Sequence, residues 1–123
     1  MENTRLRLKP STVETIRGQL EFQRSNRPES FAYHFPRIDS AGMPVDYADI
    51  EQMTEREADS VRHLLLGSIV YGRGRMRKLR AVSLSAFNAT ASAGDAGEWS
   101  IRVEQFEEAL ADLCAVYGLP TAG

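Results

Sequence analysis

The chain has 123 residues, 42% hydrophobic and 26% charged, with a net charge of −2 and a single cysteine. That length predicts one domain over residues 1–123, able to bury a core without staples, and lone Cys114 excludes an internal disulfide and a multi-cysteine metal site. No run approaches the roughly 18 apolar residues of a membrane span and Met1 to Lys9 lacks an apolar signal core, so a cytoplasmic protein with no membrane partner is expected.

Arg5-Leu6-Arg7-Leu8-Lys9 alternates with period two and predicts a short strand ended by Pro10. Ser11-Thr12-Val13-Glu14 has the form of a capping box, and Val13, Ile16 and Leu20 follow at helical spacing, which predicts a helix over 12–25 despite Gly18. Asn26-Arg27-Pro28 breaks it. Phe31, Tyr33 and Phe35 then alternate with Ala32, His34 and Pro36, the pattern of a strand from Ser30 that ends at Pro36.

A turn at Ser40 to Pro44 precedes Asp46-Tyr47-Ala48-Asp49, which has the form of a helix start. Thr54-Glu55-Arg56-Glu57 repeats the capping-box pattern, so 46–72 holds two helices or one kinked at Met53-Thr54. Ala58, Val61, Leu64, Leu65, Ser68 and Ile69 give the second a broad apolar face, with a stop at Gly72 or, alternatively, at Gly67. Leu79 to Phe87 alternates like a strand, Asn88 to Gly97 is small and polar like a loop, and Trp99, Ile101 and Val103 supply a hairpin partner. Val103, Phe106, Leu110, Leu113 and Tyr117 form one face of a final amphipathic helix stopped by Gly118 and Pro120. The expected fold is therefore α+β, a small antiparallel or mixed sheet covered by three or four helices.

Charge is unevenly placed, running +3 over 1–37, −6 over 38–60, +6 over 61–80 and −5 over 81–123. Arg73, Arg75, Arg77, Lys78 and Arg80 fall within eight positions and are candidate contacts to a nucleic acid or another partner, because guanidinium and ammonium groups bind phosphate. Asp49, Glu51, Glu55, Glu57 and Asp59, preceded by Asp46, are a candidate acidic surface for a basic partner. Phe31, Tyr33 and Phe35 are either core or a platform for stacked bases.

Several chemistries find no footing. Gly67 to Gly74 has the glycine spacing of a phosphate loop but carries Arg73 and Gly74 where Lys and Ser or Thr are required. Thr54-Glu55-Arg56-Glu57 with Val61 and Leu64 resembles the opening of a bacterial helix-turn-helix regulator; the resemblance ends at Gly67, and no residue role is carried over. His34 and His63 are not spaced as metal ligands, so neither a metal nor a cofactor is expected. The sequence thus points to a small non-enzymatic regulatory or inhibitory protein, such as one carried by a phage or mobile element, that binds a protein or nucleoprotein partner through charged surfaces. The alternative is a direct nucleic-acid binder using Arg73 to Arg80, and the third reading is an enzyme with a site near His34 and His63. Homo-oligomerisation is compatible with all three, since opposed charge blocks pair between subunits.

Overall fold

The computed structural model describes residues 7–38, 44–85 and 89–121, with all of their side chains except those at 80, 82–85 and 89–96. Pro10 opens a helix in it instead of ending a strand. Lys9 is the extended N-cap residue and Pro10 occupies the first turn, where its fixed φ and missing N–H are no handicap. This helix, α1, spans Pro10–Asn26, and Val13, Ile16 and Leu20 are its buried stripe as the spacing predicts. The Ser11–Glu14 capping box does not form. Ser11 already lies inside the helix, where its carbonyl accepts from Thr15 Oγ1 at 3.0 Å.

The remaining elements are α2 (Pro28–His34), α3 (Tyr47–Glu51), α4 (Glu55–Ser85) and α5 (Ala89–Tyr117), and the described residues hold no strand. The expected α+β fold with its sheet is therefore overturned: the protein is all-helical. Where the strand ending at Pro36 was expected lies α2, opened by Pro28 and Glu29 and burying Phe31, with Phe35 buried one turn on at its C-cap. Residues 79–85 of the strand expected from Leu79 to Phe87 continue α4, led into by the straight-chain helix formers Met76 and Lys78, and positions 86 and 87 lie outside the described residues. Neither Gly67 nor Gly72 stops that helix. The loop expected over 88–97 is helical from Ala89 onward, and Trp99, Ile101 and Val103 lie on α5. Of the strand expected over 5–9, positions 5 and 6 lie outside the described residues, as do positions 40–43 of the turn expected at 40–44.

Three of the helix ends read from local chemistry hold. Asp46 caps α3 by accepting from the Ala48 amide at 2.9 Å. Thr54 and Glu57 form the reciprocal capping box of α4, with the Glu57 amide on Thr54 Oγ1 at 3.1 Å and the Thr54 amide on Glu57 Oε1 at 2.9 Å. Gly118 closes α5 at φ 68°, and the Leu119 amide reaches back to the Cys114 carbonyl at 3.0 Å, completing a Schellman turn.

Helices α4 and α5, 31 and 29 residues long, pack along each other as the main body, each roughly 45 Å end to end at 1.5 Å per residue. Ala58, Val61, Leu65 and Ile69 of α4 meet Val103, Leu110 and Leu113 of α5 in the buried core, and α1 packs chiefly on α5. Gly72 is where the hairpin closes most tightly: a Cβ there would lie 2.5 Å from Val103 Cγ2. Gly67, by contrast, has nothing within 4 Å of its Cβ position. The two glycines should therefore respond with opposite signs. Gly72→Ala gains helix propensity yet must displace a stiff β-branched neighbour, and is expected to cost about 1–2 kcal/mol net. Gly67→Ala should stabilise by up to about 1 kcal/mol. Urea melts of the two variants check the pair, and equal shifts would be incompatible with this hairpin seam.

Candidate functional site

Three helices leave an open groove of about 840 Å³ beside the α4–α5 hairpin. One wall is α1, through Gly18, Gln19, Phe22 and Gln23, with Arg27 just beyond its end. The second is α4, through His63, Leu64, Gly67, Ser68 and Tyr71, and the third is α5, through Trp99, Arg102 and Phe106. These positions recur once per turn on each helix, so the lining is a continuous stripe. Two of its large apolar members are not used up by the fold, Phe22 at 59% and Tyr71 at 60% exposed, while Leu64 and Phe106 are half-buried against the core.

The groove is fixed in shape by contacts among its own walls. Ser68 Oγ donates to Gln19 Oε1 at 2.9 Å, joining α4 to α1. Tyr71 and Trp99 meet edge to face with ring centroids 5.5 Å apart, and the Arg102 guanidinium lies over the Trp99 ring at 4.8 Å. None of the lining residues is a carboxylate, whereas Arg27 and Arg102 are both cations. A smaller depression of about 400 Å³ between the start of α1 and α5 has the opposite character, with Glu14 and Glu108 in its lining and no aromatic side chain.

Helical winding divides the basic stretch in two. Arg75 and Lys78 follow Tyr71 by four and seven residues, so they continue the groove-facing stripe of α4 toward its far end. Arg73, Arg77 and Arg80 share a different face by the same spacing. Arg73 there pairs with Glu107 of α5, tying the hairpin together, while Arg77 and Lys78 are exposed.

The acidic block is divided as well. Glu57 is only 6% exposed, and the Arg37 guanidinium grips it with Nη2 on Oε1 at 2.8 Å and Nε on both oxygens at 3.1 and 3.2 Å. The same guanidinium reaches the Asp49 side chain at 3.2 Å and its carbonyl at 2.9 Å, so one arginine joins the segment after α2 to α3 and α4. Burial pushes the Glu57 carboxyl up, but the bonds from Arg37 and Thr54 together outweigh it and hold Glu57 below the ordinary 4.5. Asp59 accepts from Arg62 Nε at 2.8 Å, and Arg62 Nη1 also donates to the Pro120 carbonyl at 3.3 Å. Glu51 and Glu55 remain exposed. Asp49, Glu57 and Asp59 thus have structural partners, and the five candidate acids do not make one continuous outward surface.

No family model, curated protein or solved structure matches the chain. The site therefore rests on its own geometry.

The other candidate residues are kept apart by the fold. Phe31 and Phe35 are core, with centroids 5.3 Å apart, while Tyr33 is 73% exposed and touches His34 edge on, so the three aromatics share no platform. His34 is exposed on α2; His63 is exposed at the groove and its Nδ1 lies 3.0 Å from the Asp59 carbonyl. Cys114 is buried and its thiol donates to the Pro120 carbonyl at 3.4 Å. Burial pushes that thiol above its ordinary value, so it stays protonated and poorly nucleophilic at neutral pH. Among the described residues no cluster of three His, Cys, Asp or Glu side chains can hold a metal ion, and no helix is long and apolar enough to cross a membrane.

Sequence reasoning did not bring the groove residues together: it placed Leu64, Ser68 and Phe106 on core faces, weighed Gly18 as a helix cost, Gly67 as a helix stop and Trp99 as strand, and named His63 only for an enzyme site. One signal was present. Phe22 lies off the Val13, Ile16 and Leu20 stripe of α1, and a large apolar residue on the polar side of a helix marks a second contact surface.

Proposed function

We propose that the chain is a non-enzymatic regulatory or inhibitory protein of the cytoplasm that docks on a larger macromolecular partner, using the groove and the basic stripe that continues it. The observation that carries this reading is the exposed aromatic lining with cations and no carboxylate, in a chain whose net charge is −2. Buried aromatic and arginine anchors dominate the binding energy of protein interfaces, and Phe22, Tyr71 and Arg102 offer such groups unburied. The buried, protonated Cys114 thiol favours binding over catalysis.

The test is capture from a native extract by the immobilised chain, with and without nuclease, compared with a Phe22→Ser, Tyr71→Ser and Arg102→Gln variant. All three side chains are substantially exposed, so melting should change little. Capture of a nuclease-resistant partner should fall at least about tenfold in the variant. Unchanged capture would remove the groove from the docking surface. Loss of everything on nuclease treatment alone would instead make nucleic acid the partner and return Arg73 to Arg80 to the centre.

A further inference from the structure

We infer that the groove takes an acidic amphipathic helix of the partner; this rests on the docking reading above and names what the groove receives. The first support is shape. On α4 the lining runs from His63 to Tyr71, about 12 Å along the axis, and reaches about 22 Å if Arg75 and Lys78 are included, the length of two to four helical turns. A trench between helices, lined by Leu64, Phe106 and Phe22, matches the apolar stripe that such a helix presents every third and fourth residue.

The glycines are the second support. Gly18 and Gly67 stand on facing walls in the middle of α1 and α4, each costing about 1 kcal/mol relative to alanine. Among the described residues nothing requires them: neither has positive φ, and neither has a packing atom of another element within 4 Å of its Cβ position. Gly72 shows what an internal requirement looks like, with Val103 pressed against it. A backbone approaching from outside supplies the same requirement at Gly18 and Gly67, because the missing side chains let a helix settle close to the floor.

Charge decides what kind of helix. Arg27 and Arg102 lie in the lining, and Arg75 and Lys78 follow in register, so an apolar stripe flanked by Glu or Asp is the complementary occupant. Single-stranded nucleic acid would also meet cations and aromatics here, but stacking needs an open ring face. Trp99 has Arg102 over its ring and the Tyr71 ring edge to face with it, which leaves it poorly disposed to receive a base, so that of the groove's phenylalanine, tyrosine and tryptophan rings only Phe22 and Tyr71 are well exposed.

Trp99 is the sole tryptophan of the chain, so its fluorescence reports the groove directly. The probes are a synthetic helix of about 16 residues with Leu and Phe at i, i+3, i+4 and i+7 and Glu on its flanks, the same peptide with Lys for Glu, and an oligothymidylate of similar length. The Glu peptide should shift Trp99 emission with a micromolar-scale Kd that weakens as salt rises, at least about tenfold tighter than the Lys peptide. A Gly18→Leu, Gly67→Leu variant gains helix propensity and fills the floor, so it should fold at least as well yet lose the Glu peptide by tenfold or more. Arg27→Glu with Arg102→Glu should reverse the preference between the peptides. Equal binding of both peptides, binding that survives the leucine floor, or a response to the oligonucleotide alone would overturn the inference. The capture assay separates this from failure of docking itself: a partner lost with Phe22, Tyr71 and Arg102 while the Glu peptide fails to bind keeps the docking reading and removes the helix.

Discussion

Phe31→Ala is expected to lower the unfolding free energy by about 3–5 kcal/mol, while Tyr33→Ala, two residues away, should change it by less than about 0.5 kcal/mol. Phe31 is 2% exposed and packs against Phe35 across one turn of α2, so its removal leaves a void lined by a ring and by core aliphatics. Tyr33 is 73% exposed on the other side of the same turn and leaves nothing behind. A strand over 30–36 would instead put Phe31, Tyr33 and Phe35 on one face and make the two substitutions comparable. Urea unfolding of the two variants decides between these arrangements by the ratio of their effects. A Tyr33→Ala cost near that of Phe31→Ala would restore the strand.

This pair also shows why the sheet expected from sequence is absent. Alternation over only three large residues cannot be told from helical spacing, since positions 31 and 35 satisfy both i, i+2, i+4 and i, i+4. Pro28 at the first helical position and Glu29 behind it were the signals that favoured helix, and both lie just outside the alternating run. Pro10 misled in the same way, as a residue that stops a strand and starts a helix equally well. Gly72 misled for a different reason: helix propensity is a local quantity, and the glycine answers a contact with Val103 some thirty residues away. What was legible from the residues alone was chemistry completed within a few positions: the Asp46 cap, the Thr54–Glu57 box, and the Gly118 stop of the last helix.

The candidate site follows the same division. The runs of like charge were plain in the sequence, but which charges the fold consumes was not, because Arg37 to Glu57 and Arg73 to Glu107 are decided by how separate elements meet. Arg37 and Asp49 fall in blocks of opposite sign in the tally of charge yet share one hydrogen-bonded cluster. The groove was hard to see for a stronger reason: its walls come from three helices, and apart from Phe22 each contributes residues that look unremarkable on their own element. Of the five basic candidates, helical winding leaves Arg75 and Lys78 in line with it.

Glu57→Ala should cost about 2–4 kcal/mol at neutral pH, and Glu57→Gln less, with a difference between them that depends on pH. Alanine removes both the acceptor for the Thr54 amide and the partner of Arg37. Part of the loss is relieved because the Arg37 side chain is 39% exposed and can hydrate when abandoned, which keeps the figure below that for stranding a fully buried charge. Glutamine keeps an oxygen for the Thr54 amide and so preserves the cap while deleting the charge. The sign of the pH effect follows from the depressed pKa of Glu57: the folded state holds this carboxylate deprotonated to lower pH than the unfolded chain does. Its contribution is complete above the ordinary value of 4.5 and is lost as pH falls from there through the lower folded value. Melts of the parent and of Glu57→Gln between about pH 3 and pH 7 should therefore converge at the acid end and separate above it, reflecting the differential proton binding of the two states. Curves that stay parallel across that range would mean that the Arg37–Glu57 pair contributes geometry without charge, and that the segment between α2 and α4 is held by Ile38, Val45 and Ile50 in the core.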